Sequence, residues 1–320
     1  MKRFAAFLLV AAMMLTMTAC VDRTDNSSSS SVPSTSSSSM PSSSSSEPSS
    51  SSSEPSTSSS SKPSSTPTMS TDFSQIGALD KTPVTWGWGP HVDEKNRSVS
   101  CTQLQEKYGK YNAFFIAPES DNFYLTFDEG YENGYTSKIL DALKSKNAQA
   151  VFFVTQSYVK TNPELVQRMI DEGHIVGNHT VNHLDFTTIP LETAYEEVKG
   201  LHDYMQEHFN YTMSLFRYPT GAFNEQTLAM LDQMGYRTLF WSFGYADWDQ
   251  NNQMGAQKAY EKVTKALHPG ALYLLHAVSK DNAEILPDFI DYVRDQGYTV
   301  KLFDLTKEDT ASSSSSSLAQ

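Results

Sequence analysis

The stretch LTFDEGYENG, residues 125–134, decides how the chain is read. An apolar run, Phe123 to Phe127, ends in two adjacent carboxylates, Asp128 and Glu129, and then Gly130. A short continuous apolar run bounded by turn residues reads as a strand buried on both faces, the pattern of a parallel sheet. Adjacent like charges repel and a turn requires neither acid, so the pair points to chemistry at a strand end.

Working outward, strand-like and helix-like segments alternate. The strand-like segments are 123–127, 150–154, 175–177, 214–216, 237–243, 271–275 and 298–303. The helix-like segments are 136–146, 163–172, 190–209, 224–234, 256–267 and 281–296. Such alternation predicts a parallel sheet with crossover helices, which an open doubly wound sheet and a closed barrel both satisfy. Five or more βα units in roughly 240 residues favour an α/β barrel. Residues 70–122, with TWGWGPHVDEKNR, break the alternation. They are expected to form an irregular N-terminal flap packed on the barrel, with Trp86 and Trp88 as core rather than a sugar platform.

The 320-residue chain carries a formal net charge of −13 and no basic cluster longer than two residues, which excludes nucleic-acid backbones as natural partners. Its two cysteines, Cys20 and Cys101, are too few for a disulfide framework. Lys2 and Arg3, the apolar run to Met17 and the small residues before Cys20 read as an export signal. LTMTAC resembles a bacterial lipoprotein lipobox, which implies cleavage before Cys20 and lipidation of its thiol. Ordinary signal cleavage nearby and an uncleaved anchor are the alternatives. Residues 27–66 are mostly serine punctuated by proline and cannot bury enough apolar surface to order. As a flexible tether they would reach roughly 35 Å. The expected organisation is therefore a signal segment 1–19, a Ser-rich linker 20–69, the extension 70–122, the barrel domain 123–310 and a polar tail 311–320. A lipid-anchored monomer on the extracellular face of a bacterial membrane is the expected setting.

The unusual polar residues fall at strand ends. Asp128 and Glu129 follow the first run, and GNHTVNH, with His179 and His183, follows 175–177. RYPTG (217–221) follows 214–216, YADWD, with Asp247 and Trp248, follows 237–243, and His276 follows 271–275. Parallel α/β folds bind ligands at the carboxyl ends of their strands, so five strand ends converge on one mouth. His179 and His183 are four apart, and on a helical turn both imidazoles would face one side and grip one metal. With a carboxylate from a neighbouring strand this is a catalytic-zinc type of donor set. The plainer alternative makes both histidines polar caps of a loop.

TFDEG, HTVNH, RYPTG, ADWD and LLH, in that order, resemble the five motifs of the NodB-type polysaccharide deacetylases, carbohydrate esterase family 4. The resemblance spans roughly residues 123–303 and implies a distorted (β/α)7 barrel. TFDEGYENGYT, DEGHIVGNHT and HPGALYLLHAVSKDNAE are most similar to the branch that de-N-acetylates muramic acid in peptidoglycan, which in spore formers prepares the muramic δ-lactam of the cortex. The implied substrate is thus a cell-wall glycan and the implied cofactor a divalent metal, zinc first, with cobalt and manganese as alternatives.

Residue by residue, the resemblance implies these roles. Asp128 is the catalytic base, paired with Arg217. His179, His183 and Glu129 hold the metal. His276 is the catalytic acid, tuned by Asp247. The backbone N–H of Thr220 serves the oxyanion hole, and Tyr218, Trp248 and Leu274 meet the substrate. The chain departs from the family at two positions. At residue 129 the family carries aspartate and the muramic-acid branch asparagine, so Glu129 could bind metal directly, bind through water or point away. At residue 220 the branch carries arginine.

Two rival readings follow from the same residues. A glycoside hydrolase takes its two carboxylates from separate strands, roughly 5–10 Å apart, and needs no histidine pair. A cell-wall-binding lipoprotein with a decayed site would tolerate Glu129 and Thr220, but has no reason to keep Asp128, Arg217, Asp247 and His276 together.

Overall fold

The computed structural model describes residues 73–306 and Asp309. The expected export segment, Cys20, the linker to residue 69 and the tail 311–320 lie outside the described residues. In chain order the elements are β1 (Val84–Thr85), α1 (Val99–Tyr108), β2 (Ala113–Phe114), β3 (Asn122–Glu129), α2 (Thr136–Ser145), β4 (Val151–Val154), α3 (Gln156–Thr161), α4 (Pro163–Asp171) and β5 (Ile175–Asn178). They continue with α5 (Leu191–Phe209), β6 (Leu215–Phe216), β7 (Ala222–Phe223), α6 (Glu225–Gln233), β8 (Arg237–Leu239), α7 (Ala256–Lys265), β9 (Ala271–His276), α8 (Lys280–Asp295) and β10 (Thr299–Val300).

The main sheet runs β10-β3-β4-β5-β6-β8-β2, with β9 also paired along β3, and every pairing in it is parallel. Beyond β8, Ser242 and Phe243 donate backbone hydrogen bonds to the Leu272 carbonyl, and Leu274 donates to that of Phe243. These bonds join the curled sheet to β9 and give the distorted (β/α) barrel that the alternation predicts. The apolar β4 is buried at every residue, as a strand covered on both faces must be.

Side chains alternate across the sheet with period two. Tyr124, Val151, Phe153, Leu215, Leu239 and Leu272 form a cluster inside the barrel, while Phe123, Leu125, Phe127, Phe152 and Val154 belong to the larger cluster under the helices. Along β3, Tyr124, Thr126 and Asp128 therefore face inward and Phe127 and Glu129 outward. Gly177 on β5 lets Phe153 into the interior, because a Cβ there would stand 2.4 Å from the phenyl ring.

Three elements differ from expectation. Residues 70–122 are not merely a flap, since β2 pairs with β8 in the main sheet and α1 is a full helix N-capped by Ser98. Trp86 is buried as expected, but Trp88 is only partly buried and lines the large cavity described below. The run 237–243 is a regular strand only to Leu239. Phe240 still bonds to Phe114 of β2, whereas Ser242 bonds to Leu272 of β9, so the segment changes neighbours midway and its ladder breaks. An additional short helix, α3, begins at the N-cap Thr155.

Candidate active site

The carboxyl ends of β3, β5, β6 and β9, with the loops after β8, open into a cavity of about 910 Å³ lined by Asp128, His179, His183, Thr220, Leu274 and His276 among others. The register places Asp128 directly beside His276. Five strand-end motifs read from the sequence thus meet in one place.

Arg217 is fully buried inside the barrel, with its guanidinium 4.2 Å from the centroid of the Phe153 ring. It donates to Asp128 Oδ1 at 2.8 Å, to Thr126 Oγ1 at 2.8 Å and to the carbonyls of Leu239 and Phe240 at 3.0 and 3.1 Å. One face of the Asp128 carboxylate is thereby fixed and Oδ2 is left toward the cavity. Burial opposes ionisation of Asp128, but the charges of Arg217, His179 and His276, with the Arg217 hydrogen bond, hold its carboxyl below the ordinary aspartate range.

Beside Asp128, on β9, His276 Nδ1 lies 2.7 Å from Asp247 Oδ1, and its backbone N–H donates to Asp247 Oδ2 at 2.8 Å. A carboxylate only accepts, so Nδ1 carries the proton and Nε2 is free to take a second. Burial disfavours the imidazolium, but the Asp247 charge and hydrogen bond outweigh it and raise His276 above its ordinary value. Asn282, at the start of α8, donates to Asp247 Oδ2 at 2.6 Å and to the His276 carbonyl at 3.1 Å, and Tyr245 Oη donates to Asn282 Oδ1 at 2.5 Å. The sequence reading assigned no role to Asn282 or Tyr245.

His179 Nδ1 bonds to the Arg217 carbonyl at 2.9 Å. A carbonyl only accepts, so Nδ1 holds the proton and Nε2 is bare, 3.7 Å from Asp128 Oδ2. Burial pushes His179 down to about 4, which keeps it neutral and able to ligate. The His183 ring stands beside it, centroids 4.8 Å apart and planes at 76°. The spacing of four does not come from a helical turn: Thr180 (φ 75°) and His183 (φ 56°) are both left-handed, and the segment is a loop.

Glu129 is not brought to these histidines. It is fully buried on the outer face of β3, its ladder with Val154 intact, and among the described residues neither carboxyl oxygen has a hydrogen-bond partner. No ion pair links it to a histidine among the described residues. Burial, reinforced by the charges of Glu132 and Asp128, pushes its carboxyl well above the ordinary range. The strand stays regular through residue 129, so period-two alternation turns Glu129 away from the mouth that Asp128 faces. The expectation of a third ligand at this position is therefore corrected. Among the described residues no three His, Cys, Asp or Glu side chains are gathered as a ready metal cage. The paired neutral imidazoles, one with a bare nitrogen and a carbonyl behind it, nonetheless fit a divalent ion that takes nitrogen ligands.

Thr220 adopts φ 56° in a 3₁₀ turn (Pro219–Gly221), an uncommon conformation for a β-branched residue, and lines the cavity. Leu274 is buried in the cavity wall. Tyr218 lines the cavity too, but its hydroxyl bonds to Thr227 Oγ1 at 3.0 Å and its ring stacks on Phe240, so it offers substrate only ring surface. Trp248 is 56% exposed at the rim beside Tyr131, 47% exposed, whose hydroxyl donates to the Trp248 carbonyl at 3.1 Å. Tyr131 stands in the opening motif, where an aromatic two residues beyond an acid carries no spacing signal.

A family model described as polysaccharide deacetylase matches residues 116–239. The chain is 42% identical over 233 residues to the peptidoglycan-N-acetylmuramic acid deacetylase PdaA of Bacillus subtilis, covering 72% of this chain and 88% of that protein. The solved structure of B. subtilis PdaA, a family 4 carbohydrate esterase, superposes with a TM-score of 0.67 at 41% identity, over 70% of this chain and 96% of that one. A family 4 carbohydrate esterase from Bacillus anthracis superposes with a TM-score of 0.59 at 39% identity, over 72% of this chain and 99% of that one.

Proposed function

The chain belongs to the polysaccharide deacetylase family, and from that premise we propose that it hydrolyses N-acetyl groups of peptidoglycan, at N-acetylmuramic acid. The observation that carries this reading is the placing of two pairs, Asp128 with Arg217 and His276 with Asp247, side by side on neighbouring strand ends, with Asp128 and His276 both lining one cavity. A decayed, merely binding site has no reason to keep both pairs assembled.

His179 and His183 would hold a divalent metal, zinc first, with cobalt and manganese as alternatives. Such an ion would supply polarisation of the amide carbonyl and a lowered pKa of water. Asp128, ionised and held by Arg217 at Oδ1, takes the proton of the attacking water at Oδ2. The Thr220 N–H meets the oxygen that becomes negative as water adds to the carbonyl carbon, a contribution of about 3–4 kcal/mol. His276 delivers its Nε2 proton to the amide nitrogen as the C–N bond breaks, and Asp247 stabilises the imidazolium beforehand. Acetic acid and a free amine result, with Asp128 protonated and His276 neutral; the acid then loses its proton to solvent as acetate, and exchange with water returns Asp128 to the anion and His276 to the cation. Leu274 in the wall meets the acetyl methyl, and Trp248 at the rim meets the sugar face.

A second reading, action on N-acetylglucosamine, is favoured by one observation: the cavity lining includes no lysine or arginine to meet a lactyl carboxylate. The test is to incubate the purified protein, with zinc supplied, with peptidoglycan fragments and chito-oligosaccharides. Acetate should be released, and mass spectrometry of the products should place the lost acetyl on muramic acid. Loss only from glucosamine selects the second reading, and no acetate from any substrate removes the enzymatic one. The basic-apolar start, the residues before Cys20 and the serine tract support a lipid-anchored protein on the outer face of the membrane, its domain tethered near the wall.

A further inference from the structure

The two histidines are supported differently. The His179 ring is oriented by the Arg217 carbonyl behind it. The His183 ring has no hydrogen bond to any other described residue and meets only the backbone of its own, while its backbone N–H donates to Thr180 Oγ1 at 2.8 Å. Its direction therefore rests on the backbone of the turn that carries it. That turn is uncommon for residues other than glycine, with Thr180 and His183 both left-handed; the Thr180 N–H donates to Asn178 Oδ1 at 2.9 Å and the Gln156 N–H to the Thr180 carbonyl at 3.1 Å, which fixes residue 180 and leaves residues 181 and 182 to be held.

Glu197, on α5 and only 5% exposed, holds them. Its carboxylate accepts the backbone N–H of Asn182 at Oε2, 2.7 Å, and the Asn182 side-chain amide at Oε1, 2.6 Å. Its main-chain carbonyl accepts the N–H of Val181 at 3.1 Å. Three bonds from one residue thus hold the two residues that precede His183. Both carboxylate oxygens are satisfied, so burying the charge is tolerated, and charge-assisted bonds of this length are the strong kind.

We propose that Glu197 is a positioning residue for the metal histidine His183, doing for it through the backbone of the HTVNH turn what the Arg217 carbonyl does for His179. This rests on the reading of His179 and His183 as metal ligands. The chain then uses a carboxylate not as a ligand, the role expected of Glu129, but as a clamp on the main chain that leads into a ligand.

The test is calorimetric titration of zinc into the metal-free full-length protein and its variants, with unfolding followed separately. Wild type should bind one zinc. Glu197→Ala should weaken zinc binding about 10–100-fold, the usual cost of losing an outer-shell support. Asn182→Ala, at an exposed position that keeps the backbone bond, should fold normally and fall between the two. Glu197→Gln, which still accepts the Asn182 N–H, should recover part of the loss. Wild-type zinc affinity in both Asn182→Ala and Glu197→Gln overturns the proposal, as does a Glu197→Ala protein that is merely less stable with unchanged affinity. Absence of zinc binding in the wild type would instead overturn the metal reading on which the proposal stands.

Discussion

At the scale of single residues, the site is two charge pairs with opposite tasks. Asp128 must be ionised to take a proton, so activity should rise with pH through its depressed pKa, below the ordinary aspartate value of about 3.9. His276 must be protonated to give one, so activity should fall as pH passes its raised pKa, above about 6.5. Asp128→Asn and His276→Ala should each lower kcat by about 10²–10⁴ with folding intact. Asp247→Asn should move the falling limb to lower pH, because it removes the charge that raises His276. A pH–rate profile of the four proteins checks all of this, and an unmoved limb would separate Asp247 from the acid. Glu129 makes the opposite case. Its buried, unpartnered carboxyl holds its proton where an ordinary carboxyl is ionised, and it stands on the wrong face of β3. Glu129→Gln keeps shape and neutrality, so its zinc affinity should equal that of the wild type within about twofold by titration, which rests on the usual near-neutrality of isosteric replacement. A tenfold loss would return Glu129 to the metal.

At the scale of elements, positions inside the barrel matter because the sheet carries the site. Phe153 fills the space over Gly177 and supports the Arg217 guanidinium, which in turn fixes Asp128. Gly177→Ala puts a methyl into the Phe153 ring. It should destabilise the protein by about 1–3 kcal/mol, the range for overpacking, measured by urea unfolding. Activity should fall as well, since the Phe153 ring that must shift is the one the Arg217 guanidinium lies against. Unchanged stability would show that β4 and β5 can part without cost. The α8 N-terminus acts in the same way on the other pair: Ser279 caps the helix, and Asn282 in its first turn ties Asp247 to the His276 backbone. The loop after β5 depends on α5 through Glu197. The strand ends of β5 and β9 are thus each braced by the helix that follows.

At the scale of the whole molecule, the barrel includes part of the extension. β2 pairs with β8, Trp86 packs edge-on against Phe115 and Phe240, and Trp88 Nε1 donates to the Gly244 carbonyl at 2.9 Å. The segment before residue 123 therefore supports the sheet and one cavity wall. In the proposal, the serine tract and Cys20 ahead of it serve delivery rather than catalysis. If Cys20 is lipidated, Cys20→Ser should move the protein from the membrane fraction to the medium or leave it as uncleaved precursor. Mass and fractionation identical to wild type would remove the anchor from the proposal.

The alternation of apolar strands and amphipathic helices, and the acids, histidines and arginine at the strand ends, were legible along the chain, because burial and turn chemistry act over a few residues. Period-two alternation also lay in the sequence, with Tyr124, Thr126 and Asp128 on one side of Glu129. It could not be applied at residue 129 without knowing that the ladder with Val154 continues that far, since a strand that bends at its end loses its parity. β2 was invisible for a related reason: two residues are too few to show a period, and only pairing with β8 makes them a strand. Asn282 reaches Asp247 across 35 residues, Glu197 reaches Asn182 across 15 and Arg217 reaches Asp128 across 89. Arg217 was recoverable from its motif, whereas Asn282 and Glu197 look like ordinary helix residues. Local chemistry determined which residues sit at strand ends, and tertiary packing alone decided which of them face one another, because partners so far apart in sequence are chosen by the closing of the barrel.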